Sequence, residues 1–308
     1  FLFFHFILCS HENPSGHGSV MKSLLGHPLG RLGLVVLFVW LTAAITADLW
    51  VPDQTRHAND MHLAHAAKSI GYERPLADGS THQTHYMGTD RYGRDVLSRL
   101  ALGSRVSLSV GFIAVTIALF IGIPFGAIAG YYGGWTDRVL SSVIQVFWSI
   151  PTFLMVIALS FVLGKGYWQV FIAVGLTAWV EVARLVRGQV LTIMEMEYVQ
   201  AAKVLGYGPL RILRKHVLPQ VIPALTVLAA SQFAMAILLE SGLSFLGIGA
   251  QPPMPSWGGM IRDHYPYLLT GQAHLALIPG LSLASVVLAF MAIGNALRDV
   301  LDVRTQTT

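Results

Sequence analysis

Residues 106–130 read VSLSVGFIAVTIALFIGIPFGAIAG, without a single charged side chain. About 20 mostly apolar residues suffice for a helix to cross a bilayer. Five more windows are long and mostly apolar, at roughly 31–50, 139–163, 168–187, 221–246 and 274–297. In lipid a backbone must satisfy its own polar groups, which leaves helices or closed barrels. Nothing here alternates like the strands of about ten residues that a barrel needs. The expected fold class is therefore all-α, a polytopic membrane protein with about six transmembrane helices. Composition agrees: 54% of the 308 residues are hydrophobic and only 12% are charged. Soluble domains carry about twice that charged share. The net charge of +4 fits basic residues retained on one side of a membrane better than a nucleic-acid surface, so no nucleic-acid partner is expected.

Lys and Arg set the expected orientation. Lys22 and Arg31 precede the first span, and Arg138 follows the second. Arg184, Arg187, Lys203, Arg211, Arg214 and Lys215 surround the insert that begins beyond the end of the fourth, and Arg298 and Arg304 follow the last. Both termini in the cytoplasm puts all of them on the inner side. Residues 51–105 then form a long outer, periplasmic loop, whose basic residues are balanced by acids. The expected organisation is a cytoplasmic segment at 1–27, a first span at 28–50, that loop, a five-span core at 106–298 and a tail at 299–308. FLFFHFILCS at the start lacks the pattern of a signal peptide. Met21-Lys22 resembles a natural start, and residues 1–20 read as an upstream extension. Cys9 is the lone cysteine and supports neither a disulfide nor a metal cluster. Pro124, Pro151, Pro223 and Pro279 fall inside the spans, where each removes a helix hydrogen bond and allows a kink.

One polar insert stands out. EYVQAAKVLGYGPLRILRKHVLPQ, Glu197–Gln220, separates two apolar windows. Ala201, Ala202, Lys203 and Leu205 favour a helix, Gly206 and Gly208 break it, and Pro209 suits the start of another. Leu210, Leu213 and Val217 repeat at helical spacing. Pro219 is expected to stop the second helix, giving two short helices with a corner between them. A plain hairpin needs only a few residues. A bent, basic, amphipathic pair of this length suits a membrane surface or a groove on a partner.

These residues resemble a known motif. QAAKVLG followed by HVLP is similar to the EAA motif of ABC-importer permeases, and the whole insert resembles the form found in the dipeptide, oligopeptide and nickel permease family. Three further stretches agree: MGTDRYGRDVLSRLALGSRVSL (87–108), SGLSFLGIGAQPPMPSWGGMI (241–261) and ALRDVLDVR (296–304). The resemblance runs from about residue 28 to 304. It implies an ABC type I importer permease fold and a dipeptide or short-oligopeptide substrate, with nickel or another small solute as the alternative. It also implies partners: a homologous permease subunit, two ABC ATPase subunits that bind ATP and Mg, a periplasmic or extracellular substrate-binding protein, and membrane lipid. The chain itself would bind no cofactor. The insert would be the helix that couples to an ATPase, with Glu197, Gln200, Ala201, Ala202, Gly206, Leu218 and Pro219 as its contact residues. Gln200 stands where the motif's name has Glu, Met291 and Asn295 depart from the last span's usual residues, and Val303 replaces a usual Pro.

Other groups have two readings each. His57, His62, His65, His82 and His85 lie in the outer loop, and HLAH and HQTH place pairs three apart. Such pairs share a metal if helical; the alternative is a variable, solvated loop. Asp90, Arg91, Arg94, Asp95 and Arg99 suggest an interfacial amphipathic helix with an Asp95–Arg99 pair, or else a docking surface. Glu181 and Arg184 read as a structural pair near the cytoplasmic end of their span. Glu240, near the outer end of its span, is the candidate for the translocation path. PPMPSW reads as an outer cap loop, with Trp257 in the aromatic belt. The chain shows no G-x-x-x-x-G-K-[ST] loop, nucleophile elbow or HExxH motif, so no catalysis of its own is expected. A stand-alone secondary transporter is the reading from another class. It calls for internal repeats and ion pairs deep in the spans.

Overall fold

The computed structural model describes residues 17–75, 82–164 and 166–305. Most of the expected extension therefore lies outside the described residues. Helix α1 (His17–Gly26) leads through Pro28 at the first turn into α2 (Pro28–Trp50). The long loop carries two short antiparallel strands, β1 (Tyr72–Pro75) and β2 (His82–His85), pairing Tyr72 with His85. Then come α3 (Val96–Tyr132), α4 (Gly134–Ser149), α5 (Thr152–Leu163), α6 (Tyr167–Met194) and α7 (Glu197–Val204). Helix α8 (Pro209–Phe245), α9 (Trp257–His264) and α10 (His274–Thr305) complete the chain. Helices α2, α3, α6, α8 and α10 are long and apolar enough to cross a membrane, and the bent pair α4 and α5 brings the total to six if taken as one span.

Small residues hold the centre together. Helix α3 lies along α6 with Gly122, Gly126 and Gly130 in the seam. A Cβ on Gly122 would sit 2.6 Å from Val182, and one on Gly126 2.5 Å from the Ala183 carbonyl oxygen. The spacing of four places all three on one face, so the two backbones approach closely and gain dispersion contact where apolar lipid gives no hydrophobic drive. Helix α10 packs against both α2 and α8.

The windows found the spans, but three details differ. The window 139–163 is two helices bent by 91° at Ile150–Pro151, because Pro151 has no N–H to continue the ladder. Pro219 does not end its helix. Residues Leu213–Val217 form a wider π turn just before it, and the helix continues to Phe245. Such a turn absorbs the misfit between the proline ring and the preceding carbonyls. Helix α3 begins at Val96, ten residues before its apolar window, because Asp95 caps it: its carboxylate accepts from the Ser98 N–H at 2.8 Å.

Candidate functional site

The insert is a rigid corner. Val199, Ala202, Ile212 and Val217 are buried and join the cluster of Val186, Val190, Val221 and Leu225 from the adjoining spans. Gly206 closes α7 with φ +79°, a conformation that L side chains adopt only at a cost. The Tyr207 N–H donates to the Ala202 carbonyl at 3.1 Å and the Gly206 N–H to that of Lys203 at 3.0 Å. This is the double bond of a Schellman cap. Arg211 lies over the Tyr207 ring at 4.2 Å, and His216 stacks on it. Gln200 Nε2 donates to the Met194 carbonyl at 2.6 Å, across the turn from α6. A carboxylate cannot make that bond, which gives the glutamine at this position a role of its own.

The corner's outer surface is apolar. Val204, Leu205 and Leu210 are 88%, 71% and 67% exposed. Full burial of such a side chain is worth roughly 1.5–3 kcal/mol. Glu197, Gln200, Ala201 and Gly206 are exposed beside them, and Leu218 and Pro219 are half-buried at the base. Ala202 differs from the expectation: it is 4% exposed, and its small side chain admits α7 to its own bundle rather than a partner.

The opposite end of the bundle is closed by a polar network. The motif around Asp90 is no exposed amphipathic helix. Asp90, Arg94, Asp95 and Arg99 are all at most 5% exposed. Arg94 Nε donates to Asp90 at 2.6 Å, and Arg99 turns to Asp90 at 3.8 Å, leaving Asp95 to the helix cap and to His85 Nδ1 at 2.8 Å. Two more loop histidines also have partners: His62 with Asp60 and His65 with Tyr72. His82 and His85 lie on a strand, where positions three apart face opposite sides, so that pair cannot share an ion. Among the described residues no three potential ligands gather. His264 donates from Nδ1 to the Met260 carbonyl at 2.7 Å and accepts the Arg91 N–H at 3.4 Å. Burial lowers its pKa below the ordinary imidazole range, against the pull of the Met260 bond and of Asp90 and Asp263.

Trp257 leaves the belt expected for it. It is fully buried, donates to the Leu100 carbonyl at 3.0 Å and meets Trp40 edge-on at 4.8 Å. An indole N–H inside a bundle needs an acceptor, and the first turns of α3 supply one. Glu240 is also fully buried. Ser244 donates to it at 2.6 Å and Ser241 at 3.4 Å, and Ser256 lies close by. Ser244 in turn accepts the Ala250 N–H at 3.1 Å, so the acid ties loop 246–256 to the end of α8.

A cleft of about 440 Å³ opens between the α4–α5 elbow, α6 and α8. Its polar lining is Thr152, Thr177, Glu181, Ser231 and Gln232, set among apolar and aromatic side chains. Glu181 and Arg184 do not pair. Trp148 Nε1 donates to Glu181 at 3.1 Å, while the Arg184 guanidinium lies over the Trp148 ring at 3.8 Å. Nearer the insert, Arg187 donates twice to Asp137, at 2.5 and 2.7 Å.

The family described as binding-protein-dependent transport system inner membrane component matches residues 122–307. The chain is 38% identical over 282 residues to the oligopeptide transport system permease protein of Bacillus subtilis, covering 92% of this chain and 88% of that one. It is 37% identical over 281 residues to the dipeptide transport system permease protein of Alkalihalophilus pseudofirmus, covering 91% and 88%. It is 37% identical over 237 residues to the glutathione transport system permease protein of Pectobacterium atrosepticum, covering 77% and 78%. In fold it is similar to a chain of the inward-facing MetNI methionine ABC transporter, with TM-score 0.55 and 20% identity over 66% of this chain and 96% of that one.

Proposed function

The chain belongs to the binding-protein-dependent transport system inner membrane component family, and from that premise we propose that it is the permease subunit of an ATP-driven importer of dipeptides or short oligopeptides. The carrying observation is the match over nine-tenths of its length to relatives named for those substrates. It forms half of a path whose other half is a second, homologous permease. ATP and Mg bind to two separate ATPase subunits, and a substrate-binding protein delivers the peptide from outside. The protein sits in the inner membrane with both termini in the cytoplasm, which puts the insert on the ATPase side.

The insert supports this reading physically. Its exposed Val204, Leu205 and Leu210 offer apolar area to a partner, with Glu197, Gln200, Ala201 and Gly206 on the same outward surface. Its inner face is continuous with the packed spans, so displacement of the corner moves the helices as a body. Ala202, Leu218 and Pro219 hold the corner in shape. Glu240 has no free surface, and the three serines around it favour anchorage of the outer loop over lining the path.

Purification tests the proposal. The chain should co-purify with an ATPase and support ATP-dependent peptide uptake once the binding protein is added. Substrate flux through this chain alone, with no ATPase present, refutes it in favour of a stand-alone transporter.

A further inference from the structure

The acids on and beside the long helices are met in different ways. Asp137 is held by Arg187 and Ser141, Asp90 by Arg94, and Glu240 by serines. Glu181 is the exception. Its carboxylate accepts one hydrogen bond, from Trp148, and among the described residues no basic side chain reaches it within an ion-pair distance of 4 Å. An ionised carboxylate has acceptor sites for about four. Glu181 is nevertheless exposed, and it faces the cleft.

Its depth matters. Glu181 is six residues, about 9 Å, from Arg187 toward the opposite end of α6, and about 21 Å from Tyr167 at the 1.5 Å rise of a helix. Both distances place it inside an apolar layer about 30 Å thick. An acid there is costly unless a partner or a wet path meets it. The partner has a definable chemistry. One side offers a negative charge with free acceptor sites. Phe147, Trp148 and Phe153 add aromatic walls, which attract cations. Thr152, Thr177, Ser231 and Gln232 add hydroxyl and amide groups suited to a peptide backbone. The volume falls within the roughly 300–1,000 Å³ of small-ligand sites.

We propose that Glu181, oriented by Trp148, receives the ammonium terminus of a peptide as it passes through the inner half of the membrane. The inference rests on the peptide-importer reading and adds a recognition point to it. Cation selection would then occur in the permease as well as in the binding protein.

The test uses the complete transporter in proteoliposomes, with two tripeptides that the binding protein loads, one with a free amino terminus and one N-acetylated. Because one binding protein serves every variant, its own preference cancels when wild type and variant are compared. Glu181→Gln should lower uptake of the free-amino peptide about tenfold, the scale of a lost charge-assisted hydrogen bond, and leave the acetylated peptide unchanged. Glu181→Asp should retain most of the discrimination. Equal loss for both peptides, no loss for either, or failure of Glu181→Gln to assemble with its partners overturns the inference. If the wild-type complex moves neither peptide, the importer reading itself fails and takes this inference with it.

Discussion

Gly206 makes the demand of the insert measurable. At φ +79° an L side chain costs about 1–2 kcal/mol, and a β-branched one more. A Cβ built on Gly206 meets nothing within 4 Å, so within the chain the cost is conformational rather than steric. A penalty of that size shifts the corner's local equilibrium by roughly 5–30-fold. It also sets the two cap hydrogen bonds, Tyr207 to Ala202 and Gly206 to Lys203, against the new side chain's preference. Asparagine tolerates the left-handed region, so it separates backbone conformation from bulk. Gly206→Val should enter the membrane in normal amount but lose at least about fivefold in peptide moved per ATP hydrolysed, the low end of that range. Gly206→Asn should keep most of it. The assay is uptake and ATP hydrolysis measured together in proteoliposomes of the assembled complex. Full coupling in the valine variant, or an asparagine variant as defective as the valine one, refutes the claim that glycine is there for its conformation.

The two alanines should respond differently. Ala201→Asp, on the exposed side, should keep membrane yield and reduce ATPase coupling, whereas Ala202→Asp puts a charge into the core and should lower thermal stability and yield. Breaking the buried Asp90–Arg94 pair with Arg94→Ala should cost about 3–5 kcal/mol. Breaking the Asp48–Arg105 pair, whose acid is largely exposed, with Asp48→Ala should cost at most about 1 kcal/mol. Thermal unfolding of the detergent-solubilised complex compares the two. For His264 the folded pKa lies below the unfolded value of about 6.5, so the unfolded state takes up the proton first as pH falls. Its contribution is complete above that value and is lost below it, so Tm should fall from pH 7 to 5, less steeply in His264→Asn.

Much of the architecture was readable because the bilayer simplifies the problem. Every span had to be an apolar run of sufficient length, and the windows located all of them. The insert was visible for the complementary reason: alternating acids, bases, glycines and prolines have no place in lipid. Side-chain partners were much less legible. Spacing offered Asp95 to Arg99, but Asp95 was already engaged as a helix cap, and Arg99 turned to Asp90. Spacing likewise offered Glu181 to Arg184, yet an indole from another helix, 33 positions away, took both. The one local signal for Glu181 was an acid within an apolar window.

The amino-acid sequence by itself determined that this chain crosses a membrane repeatedly, where it crosses, and where it turns aside to form a polar corner. Those properties follow from local hydrophobicity and backbone preference, which act within about twenty residues. Tertiary structure alone decided which face of the corner is free, that Glu240 is buried and that Glu181 opens on a cleft. Each depends on which helix lies opposite. That is set by close packing of small residues such as Gly122, Gly126 and Gly130 against α6, between segments some sixty positions apart.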